Sequence, residues 1–245
     1  MKLTVIGYWG AFPGQGSATS CYLLETSGKK YLIDCGSGSL SRLQYYTEVM
    51  DLDGIILSHY HHDHIADIGA IQYAWLVHNM LNKTDRQLLI YGHDENIEAF
   101  NKLSHQYTKG IAYVADQTLD LGAVTVDFMR TNHPVPCFGM RVTDGKQAFV
   151  YTADTSYSKD WATFAESADL LITDTNFYKG MDGSGPGHMT SEEAGKVAAG
   201  AGVSTLWLSH LPHFGDHQLL VKEAGEVFKK NIQLAREGLV WRSEG

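Results

Sequence analysis

The chain has 245 residues, 44% hydrophobic and 19% charged, which suits one large soluble domain or two small ones with a sizeable core. No apolar run reaches the roughly 18 residues that span a bilayer, and the start "MKLTVIGYWGAFPG" lacks the apolar region and cleavage site of a signal peptide. A net charge of −9 disfavours a broad, sequence-independent grip on nucleic acid, which relies on clustered Lys and Arg.

Short, β-branched runs bounded by Gly or Asp predict the strands. In chain order, "KLTVIGY" runs into a glycine loop, and "SCYLLET" and "KKYLID" follow, with a helix over 39–50. "GIILSH" precedes a helix over 66–81, and "QLLIYG" one over 93–106. "AVTVDFM" and "QAFVYTAD" lead to a helix over 159–167, "LLITDT" to one over 190–201, and "TLWLSH" to one over 216–230. Thr190 followed by Glu193 forms a capping-box signal, with Ala194, Val197 and Ala198 on one helix face. No linker, repeat or low-complexity run divides the sequence, so residues 1–245 read as a single domain. Two packed sheets with helices outside would bury these runs on both faces. Cys21, Cys35 and Cys137 are odd in number and form no C-x-x-C pair; they read as buried thiols in a reducing cytoplasm.

The stretch "ILSHYHHDHIADIGA" crowds metal-binding side chains at the end of a strand. Alternation puts His59 and His61 on one side while the chain stays extended; Asp63 and His64 follow as it turns and could face a second ion. His62 has the wrong parity and points away, as a supporting or surface residue. Zinc takes imidazole nitrogen and carboxylate oxygen, usually four ligands to an ion. Six positions cannot complete two such spheres. Later strand ends supply His133 in "RTNHPVPCFGMRV", Asp154 in "FVYTADTS" and His210 in "LWLSHLPHF".

With these residues in place, the chain resembles the metallo-β-lactamase superfamily, whose signature is H-x-H-x-D-H. The resemblance runs from "LIDCGSG" through "LSHLPHF". It implies an α/β fold, a four-layer αββα sandwich, carrying a two-metal site. One ion would take His59, His61 and His133, the other Asp63, His64 and His210, with Asp154 bridging both. Two divalent ions are implied, zinc first, with manganese or iron as alternatives. Asp34 in "LIDCGSG" matches a family motif and reads as a support beneath the metals rather than a ligand.

Finer features resemble the ribonuclease Z-like branch: "HPVPCFGMRV" around His133, "LLIYGHDENI", and above all "GPGHMTSEEAGKVAAGAGV". By that likeness His188 is catalytic, protonating the leaving oxygen or stabilising the phosphoryl transition state, and Asp63 is catalytic as well as a ligand. The departures are equally informative. There is no long basic Gly/Pro-rich insertion to grip tRNA, "LPHFGDHQ" replaces the usual continuation after His210, and "GYWGAFPGQGSATS" matches the first glycine loop only loosely. The expected function is a cytoplasmic two-metal hydrolase of phosphodiesters: a ribonuclease Z-like nuclease or a small or cyclic phosphodiesterase. Its substrate would be a small phosphodiester or short RNA, without a membrane or strong non-specific nucleic-acid binding. A homodimer is implied by family analogy alone. The alternatives are carboxyl-ester, lactone or thioester hydrolysis on the same metals, or a metal-bearing binding protein without turnover. His213, Tyr157, Phe177 and Tyr178 are candidates for the pocket rim; His78, His93 and His105 fall on predicted helices and receive no role.

Overall fold

The apolar runs become strands of two sheets. The computed structural model describes residues 1–243, so the last two positions of the expected 1–245 domain lie outside the described residues. Contacts divide the chain into two compact units, one of residues 1–114 with those from Arg236 onward, the other of Ala115–Ala235.

The first unit contains β1 (Lys2–Gly7), β2 (Cys21–Thr26), β3 (Lys29–Ile33), α1 (Ser39–Leu43), β4 (Gly54–Ile56), α2 (His62–Ile65), α3 (Ile68–Asn82), β5 (Leu88–Gly92), α4 (Ile97–Asn101) and β6 (Thr108–Ala112). The C-terminal strand Val240–Arg242 pairs with β1. Across the sheet the order continues β1-β2-β3-β4-β5-β6, antiparallel as far as β3 and parallel from β3 onward. Leu32, Ile55, Leu88 and Ile90 of the sheet pack with Ile71 and Trp75 of α3 and Leu43 of α1 in one apolar core. Burial of this kind stabilises by roughly 25 cal/mol per Å² of apolar surface.

Two predicted helices of this unit are shorter than expected. The helix over 39–50 ends at Leu43, where Tyr45 and Tyr46 bond carbonyls three residues back, and a separate 3₁₀ turn covers Val49–Asp51. The helix over 93–106 shrinks to α4, capped by the Asn96 side chain on Ala99 N. His93 precedes that helix and His105 bridges to Thr108, so neither lies on a helix.

The second unit contains β7 (Leu119–Asp120), β8 (Thr125–Arg130), β9 (Phe138–Thr143), β10 (Ala148–Tyr151), α5 (Asp160–Phe164), β11 (Leu170–Asp174), α6 (Ser191–Ala201), β12 (Thr205–Ser209), α7 (His217–Val227) and β13 (Asn231–Leu234). They form a sheet in simple chain order, antiparallel from β7 to β10 and parallel from β10 to β13. All residues of β10 and β11 are buried, as continuous apolar runs in parallel sheets should be. The capping box of α6 forms as read: Glu193 N donates to Thr190 Oγ1 at 3.3 Å and Thr190 N to Glu193 Oε2 at 2.9 Å. Ala194, Val197 and Ala198 are its buried face. Among the described residues no helix is long and apolar enough to cross a membrane.

Within each unit, most of the polar residues singled out above cluster after the carboxyl ends of parallel strands, where α/β sheets bind ligands, while His133 follows the antiparallel β8. The chain turns sharply there. Asp34 after β3, Ala153 after β10 and His210 after β12 all adopt positive φ, at 56°, 51° and 52°. Such conformations cost non-glycine residues about 1–3 kcal/mol each and mark sites whose surroundings hold them in place.

Candidate metal centre

In the first unit, β4 leads into Ser58 and His59, and His61 then caps α2, its carbonyl accepting from His64 N at 2.9 Å and Ile65 N at 3.2 Å. This single helical turn brings Asp63 and His64 back beside His59, whose ring lies 4.2 Å from that of His64 and 4.8 Å from that of His61. His59, Asp63 and His64 are buried and His61 is half-buried; His62 is exposed, as its parity requires.

Asp34 organises this group. Its Oδ1 accepts from Ser58 N at 2.8 Å, and its Oδ2 accepts from Ser58 Oγ at 2.8 Å and from His64 Nδ1 at 2.7 Å. Having given its proton to Asp34, the Ser58 hydroxyl accepts from His59 Nδ1 at 3.0 Å. Both imidazoles therefore carry their proton on Nδ1 and present Nε2 for coordination. Asp63 Oδ2 accepts from Ala11 N at 2.8 Å and lies 3.7 Å from His64 Nε2. Gly36 is required beneath this turn, because a Cβ there would fall 2.0 Å from Asp63 O and 2.1 Å from Thr19 Oγ1.

In the second unit, Asp154 points its two oxygens at two different imidazoles: Oδ1 lies 3.4 Å from His210 Nε2 and Oδ2 lies 4.0 Å from His133 Nε2. His133 Nδ1 lies 3.2 Å from Gly187 O, a carbonyl that can only accept, which fixes the same tautomer. His210 Nδ1 lies 3.3 Å from Asp174 Oδ1, and Asn176 Nδ2 donates to His210 O at 2.9 Å. The other oxygen of Asp174 accepts from His188 Nδ1 at 2.7 Å. The His188 ring stacks on His210 at 5.0 Å and 28°. Burial pulls the His188 pKa down, but the charge and hydrogen bond of Asp174 outweigh it and the pKa is raised above the usual 6.5.

Asp174 was quoted within a strand run but given no role by sequence reasoning. It ends the strand "LLITD" much as Asp154 ends "QAFVYTAD", a parallel signal one strand along. Ser58 was overlooked altogether. His213 is exposed, Tyr178 donates its hydroxyl to Phe214 O at 2.9 Å, and Phe177 flanks His188 with ring centroids 6.2 Å apart. Tyr157 stays partly exposed, at 36%. His93 is buried with its ring 4.5 Å from that of Tyr60. The three thiols are buried, and burial raises the Cys21 and Cys35 pKa values, so neither of these two is primed as a thiolate ligand.

The donors fit divalent metal ions. Two ligands held at 2.0–2.2 Å by a tetrahedral ion lie roughly 3.3–3.6 Å apart. The Asp154–His210 spacing of 3.4 Å falls in that range, and Asp63–His64 at 3.7 Å and Asp154–His133 at 4.0 Å need only small closures. A nitrogen and oxygen set without thiolate suits zinc, manganese or iron. One unit thus gathers His59, His61, Asp63 and His64, and the other His133, Asp154, His188 and His210.

Comparison with known proteins agrees. The profile of the Beta-lactamase superfamily domain matches residues 29–211. The chain is 51% identical over 242 residues to the "Probable metallo-hydrolase YhfI" of Bacillus subtilis, covering 98% of this chain and 99% of that protein. The crystal structure of YhfI, titled a metallo-beta-lactamase fold protein, superposes with a TM-score of 0.97 over 98% of each chain. A ribonuclease Z of Haloarcula marismortui is 24% identical over 306 residues, covering all of this chain and 97% of that one. The short form of human tRNase Z shares the fold at 20% identity, with a TM-score of 0.76 over 99% of both chains. The αββα fold class expected from the sequence is therefore correct, and the chain is a metallo-hydrolase of the metallo-β-lactamase superfamily.

Proposed function

We propose that this metallo-hydrolase cleaves phosphodiester bonds, in a small diester or a short RNA. The observation that carries the reading is the pair His188–Asp174, a buried carboxylate at 2.7 Å from an imidazole stacked on His210. A phosphodiester expels a poor alkoxide leaving group and benefits from such an acid; an activated lactone or a thioester needs it less.

The signature assigns His59, His61 and His133 to one ion, Asp63, His64 and His210 to a second, and Asp154 to both. The split orientation of the Asp154 oxygens supports the bridging role. Two divalent ions, zinc first, would supply Lewis acidity and activate water near neutral pH. The protein's own residues do the rest. Asp34 and Ser58 hold His64 and His59 in the coordinating tautomer, Asp63 is kept in place by Ala11 N, and Asp174 holds the proton on His188 Nδ1, so that the ring's Nε2–H can donate to the leaving oxygen. A cytoplasmic setting fits three buried thiols.

A parallel screen tests the substrate class. Bis-aryl phosphodiesters or 2′,3′-cyclic nucleotides should be cleaved well above a lactone, a glutathione thioester and a β-lactam, and precursor tRNA should be a poor substrate. Metal-dependent lactone or thioester turnover with negligible diester cleavage would assign the protein to carboxyl chemistry. A metal-loaded protein inert to every substrate would point to a binding role.

A further inference from the structure

The metal motif has a second side. Tyr60 and His62 alternate with His59, His61 and Asp63, and both line a cavity of about 380 Å³ in the first unit, walled on the opposite side by α3 and α4. The floor is apolar, with Ile68 and Leu103 both at most 5% exposed. Tyr60 is fixed as a wall because its hydroxyl donates to His93 O.

The polar feature of this cavity is Gln72, which is only 9% exposed. Its amide nitrogen donates to Lys102 O at 2.9 Å, Leu103 O at 3.1 Å and Thr108 Oγ1 at 3.2 Å. Thr108 gives its own hydroxyl proton to Leu103 O at 2.9 Å and so can only accept from Gln72. Every neighbour on that side is an acceptor, which settles which end of the amide is nitrogen. The carbonyl end remains to accept from whatever fills the cavity. At the rim, Lys102 pairs with Glu98 at 2.8 Å, but both side chains are largely exposed, at 72% and 83%. A pair of that kind is weak and an incoming anion can replace it. His62 stands exposed on the same rim.

We infer that this cavity is a binding site for a small anion carrying an amino-substituted aromatic ring, an adenine nucleotide being the simplest example. The ring lies against Tyr60, its amino group donates to Gln72 Oε1, and the phosphate meets Lys102 and His62. A cavity of this volume lies in the range of small-ligand pockets, which combine apolar walls with a few placed polar groups. The site is distinct from the metal-facing side of the motif, and it does not depend on the phosphodiesterase reading. Because α2 carries His62 on the cavity side and buried Asp63 and His64 on the other, an occupant would touch the element that presents two metal-binding residues.

Calorimetric titration of the metal-loaded full chain with adenosine 5′-monophosphate tests this without reference to turnover. Purine riboside 5′-phosphate, which lacks the amino group, and ribose 5-phosphate, which lacks the ring, serve as controls. The amino nucleotide should bind about fivefold tighter than either, the typical contribution of one hydrogen bond to a placed acceptor. Gly69→Phe should abolish that binding with metal content unchanged, because a Cβ at Gly69 meets no atom within 4 Å and the ring can grow into the cavity. Lys102→Ala should weaken it about threefold or more, as loss of a partly exposed charge contact does. Absence of binding at millimolar nucleotide overturns the inference. So does equal affinity for the control lacking the amino group, or binding that survives Gly69→Phe, which would place the nucleotide elsewhere.

Discussion

Single carboxylates carry most of the organisation, each by splitting its two oxygens between two tasks. Asp34 grips Ser58 and His64, Asp174 grips His188 and His210, and Asp154 turns one oxygen to His133 and the other to His210. If Asp154 bridges, its loss is felt at both ions. Elemental analysis of Asp154→Ala should find both sites depleted relative to the two ions per chain expected of the parent, and two fully retained ions would rule out the bridge. His188 should behave differently. His188→Ala should keep its metal and lose about 10²–10⁴-fold in kcat, the span of an acid–base residue. The acid form of His188 persists below its raised pKa and is lost as pH climbs through it. Removing the charge of Asp174 lowers that pKa, so Asp174→Asn should move the alkaline limb of kcat to lower pH. An unmoved limb would separate His188 from proton transfer.

Elements place these residues with little freedom. Helix α6 begins two residues after Met189, and its capping box ties Thr190 to Glu193 while Phe177 N and Ser191 N bond Met189 O and Phe177 O, at 3.2 and 2.9 Å. Thr190→Ala should cost about 1 kcal/mol. That corresponds to a fall of about 2–4 °C in Tm for a chain of this size, read by calorimetry. The cap, the helix and its buried face were all legible in the sequence, because a capping box and a 3.6-residue period are local signals. The parallel strands were legible for a related reason: buried on both faces, β4, β10, β11 and β12 carry continuous apolar runs. Edge strands were not. β6 reads "TKGIA" and β13 "NIQL", half-exposed segments whose place comes from pairing with a neighbour rather than from their own pattern. The overlong helix at 93–106 fails likewise, since Asn96 starts it late and the Leu103 carbonyl is taken by Thr108. In the site, the clustered His and Asp side chains followed from spacing and strand ends. Asp34 followed from its motif, and Asp174 had a strand-end signal parallel to that of Asp154 but no spacing to link it to an imidazole; Ser58 had neither, and its contact with His59 appears only once the chain is folded.

At the scale of the whole molecule, charge bears on which of the proposed diester substrates the protein can hold. Its 19 Lys and Arg face 28 Asp and Glu, and the sequence holds no basic insertion that would offset that balance locally. A protein that grips a long polyanion does so by displacing counterions, and its affinity falls with salt as about 0.7 per phosphate contacted on a single strand. A small diester brings one or two phosphates and needs little beyond the metals to neutralise them. The slope of log kcat/KM against log salt is therefore predicted to stay shallower than about −2, the value for three phosphate contacts, on a cyclic nucleotide and on a short RNA alike. Lengthening the RNA should not improve kcat/KM, because the added phosphates meet a surface of their own sign. A slope of about −4 or steeper, together with efficient 3′ processing of precursor tRNA, would mean that a basic track exists despite the net charge. The substrate would then be the polymer itself, and the phosphodiester chemistry proposed for His188 would stand while its scale changed.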